Sequence, residues 1–380
     1  MTGGARSKVL AFRERDELSN AELVDPTDDS PALGRDPFED LALPEPFEEH
    51  LELFEQRRAF RREAPAPRWV EPPTPGAQRP LPPRARTRRW AATPPLGEID
   101  LPETRDLVDR MLGDHERRVL LSLSQLVEGD APYDHYGFSP EVLKLAFPLF
   151  YALHRFYFRV ASQGHENIPT EGPAILCANH GGLLPFDGAM GVMDVMLKTD
   201  PPRLTRSIVD KWAGTLPWVN VFFSRVGQVI GTRENVADLL ADGQLLLCFP
   251  EGMDGIRKPY TQRYKLQNFR VGFVEQALRA RAPIVPMAVV GSDDQAPLLY
   301  DIKPLARRLG LPVAPITPTF PWLGPLGLLP YPVRYRIAYG KALHFHARFG
   351  PDDAEDGRVV RYLANQVRRS VQHLVDELRA

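Results

Sequence analysis

Short apolar runs alternate with amphipathic segments from Gly164 onward. The runs "AILCAN", "FFSRVGQVI", "QLLLCFP" and "APIVPMAVVG" have the length and composition of buried strands. Between them, "TRENVADLLADG" and "NFRVGFVEQALRAR" show apolar residues at helical spacing, and Thr232 is a suitable N-cap for the first. This alternation predicts an α/β fold with a central, mostly parallel sheet flanked by helices.

The pattern in residues 101–160, directly before this alternation, predicts helices without strands. A helix begins after Ser139, with Pro140 in its first turn, where proline is tolerated. Pro148 and His154 interrupt its apolar character, so it falls short of the roughly 20 apolar residues of a membrane span. Residues 101–160 are therefore predicted as a helical segment. Two arrangements remain open, one at a membrane surface and one packed on the main domain.

The two ends of the chain differ in pattern from the middle. Residues 1–100 are rich in proline and short of aliphatic runs, so they are predicted to be a disordered tail, with a brief helix at Glu48–Arg62 as the exception. Residues 161–350 are predicted as the α/β domain. Residues 351–380 carry apolar positions at helical spacing, which predicts a C-terminal amphipathic helix.

Composition narrows the possible partners and compartments. Lys+Arg 47 against Asp+Glu 49 leaves the chain nearly neutral, so no global charge points to nucleic acid. The two cysteines, Cys177 and Cys248, each end an apolar run, which favours buried thiols over a disulfide or a metal cluster. The amino terminus lacks an uninterrupted apolar segment of the secretory kind, so cytoplasmic residence is expected.

The stretch "CANHGGLLPFDG" places His180 and Asp187 on a loop directly after a strand. Loops at the carboxyl ends of parallel strands are the usual ligand sites of α/β sheets. A neutral imidazole takes a proton near pH 7, and a carboxylate on its other nitrogen fixes the tautomer and stabilises the imidazolium. The pair therefore has the composition of a general base with its orienting carboxylate. A hydrogen-bonded histidine without a catalytic role is the alternative.

Polar residues follow two further strands: Arg233 in "GQVIGTRE", and Glu251 with Gly252 in "LLLCFPEGMDGIRK". The order "NH...D", "GQVIGTR", "FPEG" and "PIVPMAVVG" resembles the glycerolipid acyltransferases of the lysophosphatidate and glycerol phosphate type. The resemblance covers about Gly164 to Ala342. Within that family, "NHGGLLPFDG" and the apolar stretch after "ITPT" are most similar to a bacterial subgroup grouped with the monoacylglycerol and diacylglycerol acyltransferases.

The resemblance implies a role for each of these residues. His180 would deprotonate an acceptor hydroxyl, which attacks the thioester of acyl-CoA or of an acylated carrier protein. Arg233 would bind the phosphate or polar head of the acceptor, and Glu251 with Gly252 would shape the same pocket. Lys258 is the first choice among the remaining cations for that pocket. The reaction needs no covalent acyl-enzyme, and no metal or bound cofactor is implied.

One feature departs from the family pattern. Six residues separate His180 from Asp187, whereas the common form of this block has four. Glycine and proline in the spacer permit the required bulge. If the longer loop separates the two side chains, the fold would serve as a catalytically silent lipid-binding scaffold. The distance between the two side chains distinguishes the enzyme from the scaffold.

An apolar stretch and three cations bear on membrane binding and on the acceptor. The apolar stretch Phe320–Pro332, "FPWLGPLGLLPYP", fits a membrane-docking or acyl-chain loop, with burial against the helices as the alternative. We therefore expect a peripheral protein on the inner face of the cell membrane. Arg233, Arg257 and Lys258 offer positive charge for a phosphate, and unpaired charge in a partly buried pocket is costly if they converge there. We therefore favour an anionic acceptor, lysophosphatidate or a related lysophospholipid. A neutral mono- or diacylglycerol is the alternative.

Overall fold

A computed structural model describes residues 112–123, 133–215 and 218–380. The predicted disordered tail, residues 1–100, and the helix predicted at Glu48–Arg62 lie outside the described residues, so both stay predictions.

The core of the described chain is a seven-stranded sheet of order β1-β9-β6-β2-β5-β3-β4. All neighbouring strands run parallel except β6 and β9, which are antiparallel. A separate antiparallel pair joins β7 to β8. The mixed α/β class with a mostly parallel sheet is confirmed. The strands are β1 (Ala161–Gln163), β2 (Ala174–Ala178), β3 (Thr205–Val209), β4 (Val229–Ile230), β5 (Leu245–Cys248), β6 (Ile284–Val290), β7 (Tyr300–Asp301), β8 (Pro315–Ile316) and β9 (Arg336–Tyr339).

Helices pack on the sheet and also precede it in the chain. The helix Pro140–Ala152 is extended by one π-helical turn, Leu153–Tyr157. In the described parts of the chain the α-helices are α1 (Asp114–Leu123), α2 (Pro140–Ala152), α3 (Phe186–Lys198), α4 (Val219–Arg225), α5 (Arg233–Ala241), α6 (Met253–Arg257), α7 (Gly272–Arg279), α8 (Ser292–Gln295), α9 (Lys303–Leu309) and α10 (Gly357–Arg379).

Strands β2 and β6 form the centre of the sheet, and every residue of both is buried. Central parallel strands are covered on both faces, which explains their continuous apolar sequences. Cys177 of β2 lies beside Cys248 of β5 on one side and Pro286 of β6 on the other. The carboxyl ends of these three strands therefore open at one edge of the sheet, and the loops that follow them meet there.

Local sequence signals fix the beginnings of two helices. The Thr232 side chain accepts a hydrogen bond from the Asn235 backbone N–H at 3.1 Å, so it caps α5 as predicted. Asp356 caps α10 in the same way by accepting from the Arg358 N–H at 3.0 Å. The buried positions of α10 include Val360, Leu363, Val367, Val371 and Val375, spaced as one helical face.

Two segments differ from the predicted strands. The run "FFSRVGQVI" was predicted as one strand, but its first part belongs to α4 and only Val229–Ile230 pairs with β3. Phe222 of α4 stacks on Phe150 of α2, so tertiary packing rather than strand propensity sets this segment. The sequence pattern did not predict strand β3, because the charged residue Arg206 interrupts its run of strand-forming residues. That side chain is only 2% exposed and pairs with Asp134 at 2.8 Å.

Helix α2 has two different faces. Its inner face, which includes Leu143 and Phe147, packs in an apolar cluster with α1 and α3. Its outer face carries Leu145 and Leu149, which are 68% and 62% exposed. Packing on the main domain therefore leaves an apolar stripe uncovered. No helix in the described chain combines the length and the apolar character that crossing a membrane requires.

Candidate active site

The loop between Ala178 at the end of β2 and Phe186 at the start of α3 brings His180 and Asp187 together. The His180 Nδ1 lies 2.6 Å from the Asp187 Oδ2. Asp187 stands in the first turn of α3, where helix N–H groups lack internal partners and a carboxylate is favoured. Its Oδ1 accepts from the Gly188 N–H at 2.8 Å, and its Oδ2 also accepts from the Gly181 N–H at 3.1 Å. The six-residue spacer therefore folds back on itself and closes the pair.

The geometry fixes which ring nitrogen of His180 is basic. Asp187 is fully buried and accepts three hydrogen bonds, so its carboxylate requires the proton on Nδ1 of His180. The Nε2 then carries the lone pair. The imidazole stacks on Phe249 with ring centroids 4.4 Å apart, and its side chain is 12% exposed. A single basic nitrogen is thus held in a fixed orientation.

The surroundings make His180 a stronger base than free histidine. Burial lowers its pKa, but the charges of Asp187 and Glu251 and the hydrogen bond to Asp187 raise it by more. The charge of Lys258 lowers this pKa. The net pKa lies above the ordinary value, so the site stabilises the imidazolium that forms when His180 takes a proton.

Glu251 holds the backbone of the histidine loop. Its Oε1 accepts from the His180 N–H at 2.8 Å, and its Oε2 accepts from the Gln267 N–H at 2.7 Å. The side chain is fully buried, and burial raises its pKa against the lowering effects of Lys258 and the two N–H donors. Both carboxylate oxygens are engaged in positioning backbone.

Gly252 leaves room for an arginine that sequence reasoning missed. Its φ is +57°, a conformation that favours glycine. A Cβ there would stand 3.1 Å from the Arg270 Cζ, so the guanidinium lies directly over this peptide. Arg270 is exposed and follows the block by eighteen residues, which is why spacing within the block did not reveal it.

Lys258 is close to His180 but faces its backbone. The Nζ donates to the His180 carbonyl oxygen at 3.1 Å and lies 3.3 Å from the Asp293 Oδ2. The Lys258 side chain is 2% exposed. Burial raises the pKa of Asp293, and Lys258 lowers it in part. Lys258 therefore neutralises a buried carboxylate and supports the histidine loop.

The structure does not bring Arg233 to the dyad. Its Nη2 pairs with the Glu275 Oε2 at 2.9 Å, and its side chain is 73% exposed. Arg233 follows β4, which β3 and β5 separate from β2, so about 14 Å of sheet lies between the two strands. Arg257 is also occupied elsewhere, since its Nε donates to the Pro312 carbonyl oxygen at 2.7 Å.

Cys177 does not have the environment of a nucleophile. Cys177 is fully buried in β2, and burial raises the pKa of its thiol well above the usual range. A reactive cysteine requires the thiolate, which a low-dielectric surrounding disfavours.

Comparisons with known proteins place the chain in a family. A sequence profile described as Acyltransferase matches residues 159–290. An uncharacterized protein of Mycobacterium tuberculosis is 40% identical over 260 residues, covering 68% of this chain and 72% of the relative. The chain belongs to the Acyltransferase family. A second relative, an uncharacterized protein of Mycobacterium leprae, is 38% identical over 271 residues, covering 71% and 74% of the two chains.

The chain also has two more distant similarities. A bovine protein named "DGAT1/2-independent enzyme synthesizing storage lipids" is 25% identical over 222 residues, covering 56% of this chain and 58% of that protein. The crystal structure of a 1-acyl-sn-glycerophosphate acyltransferase from Thermotoga maritima aligns with 17% identity and a TM-score of 0.41, covering 73% and 89%. The family resemblance seen in the sequence is confirmed, and the acyltransferase domain supports lipid acyltransferase activity.

Proposed function

We propose that this acyltransferase moves a fatty acyl group from the thioester of acyl-CoA or an acylated carrier protein to a lipid hydroxyl, with His180 as general base. The observation that carries the proposal is the 2.6 Å contact between His180 Nδ1 and Asp187 Oδ2. This contact leaves Nε2 as the free basic nitrogen and holds the ring in one orientation.

The reaction follows from that arrangement. Nε2 takes the proton of the acceptor hydroxyl as its oxygen attacks the thioester carbonyl carbon. A carbon–oxygen bond forms, the carbon–sulfur bond breaks, and the imidazolium returns the proton to the departing thiolate. The products are the acylated lipid and a free thiol. The catalytically silent scaffold is disfavoured, because it would require an open dyad and the pair is hydrogen-bonded.

The cations favour an uncharged acceptor. Arg233 is paired with Glu275, Arg257 with a carbonyl, and Lys258 with Asp293. Each of the three already has a partner within the protein, which weakens the reason for preferring lysophosphatidate or a related lysophospholipid, and we propose mono- or diacylglycerol. The naming of the bovine relative as an enzyme synthesizing storage lipids supports this. One observation favours the anionic alternative, namely the exposed Arg270 guanidinium over Gly252.

We further propose peripheral docking on the inner face of the cell membrane. Four apolar side chains of the loop Phe320–Pro332 are largely exposed. Tyr157, at the end of the π-helical turn after α2, donates to the Pro330 carbonyl oxygen at 2.5 Å, which joins this loop to the helix with the exposed leucine stripe. We call the exposed apolar side chains of this helix and this loop the apolar face; they are Leu145, Leu149, Trp322, Leu323, Leu326 and Leu329.

An acceptor panel tests the function. Labelled acyl-CoA and acyl carrier protein are each offered with lysophosphatidate, monoacylglycerol and diacylglycerol in mixed vesicles. We expect turnover with a glyceride, and His180→Ala should lower it about 100- to 10,000-fold. Arg233→Ala should leave the KM for the glyceride unchanged, because its partner is Glu275. Wild-type turnover by His180→Ala would refute the base, and turnover with lysophosphatidate alone would refute the uncharged acceptor.

A further inference from the structure

The turn after β6 contacts the histidine loop at its far end. Gln295 of α8 is fully buried, and its Nε2 donates to the Leu184 carbonyl oxygen at 3.1 Å. Its Oε1 accepts from the Tyr335 hydroxyl at 2.7 Å, which fixes the orientation of the amide. Leu184 lies within the six-residue spacer that separates His180 from Asp187.

The same turn contacts the loop at its beginning. Asp293 pairs with Lys258, which donates to the His180 carbonyl oxygen. The Asp293 Oδ2 also accepts from the Tyr264 N–H at 2.9 Å, so its carboxylate is held from two sides. Lys258 is thereby directed at the histidine backbone rather than at solvent.

Between these two contacts the spacer lies directly on α8. A Cβ on Gly181 would stand 2.6 Å from the Asp293 Oδ1 and 2.9 Å from the Ser292 Oγ. A Cβ on Gly182, whose φ is +79°, would collide with the Gln295 amide. Only glycine permits an approach this close, so the two glycines serve the packing of the spacer on this turn.

We propose that the turn Ser292–Gln295 positions the general base, with Asp293 fixing the His180 carbonyl through Lys258 and Gln295 fixing the Leu184 carbonyl. The two tethers hold the enlarged spacer folded, so that the chain returns Asp187 to His180. This inference rests on the proposed function, because it assigns positioning residues to the same reaction. None of the residues on the turn touches the substrate in this assignment.

Gln295→Met is the informative substitution, because it keeps side-chain length and removes the tether. Loss of one such hydrogen bond corresponds to about a tenfold change, so we expect kcat to fall about tenfold while KM for the acceptor stays the same. The charged groups acting on His180 are Asp187, Glu251 and Lys258. The substitution changes none of them, so a shift of the acidic limb of the pH–kcat profile to lower pH would report a loosened contact with Asp187.

Tyr335→Phe is the matched control. It removes the other hydrogen bond of the same buried amide but leaves the tether to Leu184 in place, because the Leu184 carbonyl can accept only from the amide nitrogen. Both variants should lose similar thermal stability. Only Gln295→Met should also lower kcat and move the acidic limb of the pH–kcat profile to lower pH. Equal kcat losses in the two variants, or none in Gln295→Met, would overturn the assignment of Gln295.

The Asp293 tether is tested with Lys258→Met alone and with Lys258→Met/Asp293→Asn, which leaves no unpaired buried charge. If the double variant folds with wild-type kcat and pH profile, the tether has no positioning role. A proton NMR signal of the His180 Nδ1–H, assigned by its loss in His180→Gln, gives a readout without turnover. We expect it to shift in Gln295→Met and not in Tyr335→Phe. An unchanged signal overturns the inference, whereas absent wild-type turnover with a shifted signal overturns only the proposed function.

Discussion

Asp187→Asn replaces one oxygen of a buried carboxylate by an amide nitrogen and leaves the shape of the side chain nearly unchanged. In the wild-type protein the carboxylate accepts hydrogen bonds from His180, Gly181 and Gly188. All three partners are N–H donors. An NH₂ group placed at either position therefore faces a donor, so the asparagine cannot satisfy the same set.

The amide of the asparagine can take two orientations, and each predicts a different loss of rate. If the amide oxygen stays on His180, the tautomer survives but the charge that stabilises the imidazolium is lost, which costs about 1.5–3 kcal/mol or about 10- to 150-fold in rate. If the nitrogen faces His180, the proton moves to Nε2 and the base is lost, which costs about 100- to 10,000-fold. We therefore expect kcat to fall at least about tenfold, and the acidic limb to move to lower pH because the group that raises the His180 pKa is gone.

The assay is acyl transfer to monoacylglycerol in vesicles, measured as kcat and KM from pH 5 to 9. Asp194→Asn is the matched control, because Asp194 lies on the same helix, is equally buried, and also contacts a histidine. Its Oδ1 is 3.1 Å from the His154 Nε2, and its Oδ2 accepts from the Tyr339 hydroxyl at 2.9 Å. The control should lose stability but keep kcat per folded molecule.

Two results would refute this reasoning. Turnover of Asp187→Asn within threefold of wild type would show that the carboxylate neither orients nor stabilises the base. Equal kcat losses in the two variants would show that the effect comes from the stability of α3 and not from the dyad.

Three further predictions address pH, membrane binding and the loop. In the wild-type protein, the acidic limb of kcat/KM should have its midpoint above 6.5, because Asp187 and Glu251 raise the His180 pKa by more than burial lowers it; a midpoint below 6.5 contradicts this balance. Leu329→Asp, at 61% exposure in the apolar face, should weaken sedimentation with anionic vesicles about tenfold or more, whereas Leu309→Asp, at 58% exposure on α9, should not; equal effects would argue against the apolar face. Gly181→Ala should lower both kcat and Tm because its Cβ would meet the Asp293 carboxylate, and wild-type values for both would contradict the close packing of the spacer.

The sequence was sufficient where the determining interactions are local. Thr232 caps a helix through the residue three positions on, so its role follows from spacing. His180 and Asp187 were predicted together because both belong to one loop after a strand. Even so, the sequence left the closure of the longer spacer open, since that closure depends on α8, more than a hundred residues away.

The remaining features depend on tertiary contacts that spacing does not encode. Strand β3 contains Arg206, which is buried only because Asp134 and two aromatic rings surround it. Arg270 lies over Gly252 although it stands eighteen positions later in the sequence. Arg233 of α5 pairs with Glu275 of α7, a helix that follows a different strand. One sequence signal was available for the turn after β6: "GSDDQ" is a polar cluster directly after a central strand, the same arrangement that identified the other site loops.

The charge balance at the site connects the strength of the base to the choice of acceptor. Three carboxylates, those of Asp187, Glu251 and Asp293, lie around His180 and its loop, and Lys258 pairs with one of them. An excess of negative charge favours proton uptake by the imidazole, and it equally disfavours a phosphate brought close to Nε2. An uncharged glyceride hydroxyl approaches without that penalty.

A lysophosphatidate would have to hold its phosphate away from the dyad. Arg270 is an exposed cation that lies over Gly252. A substitution can remove it without changing the contacts that Asp187, Glu251 and Lys258 make with His180. Arg270→Ala should accordingly raise the KM for lysophosphatidate and leave the KM for monoacylglycerol unaltered. Equal KM changes for the two acceptors would show that Arg270 supports the loop and does not discriminate between them.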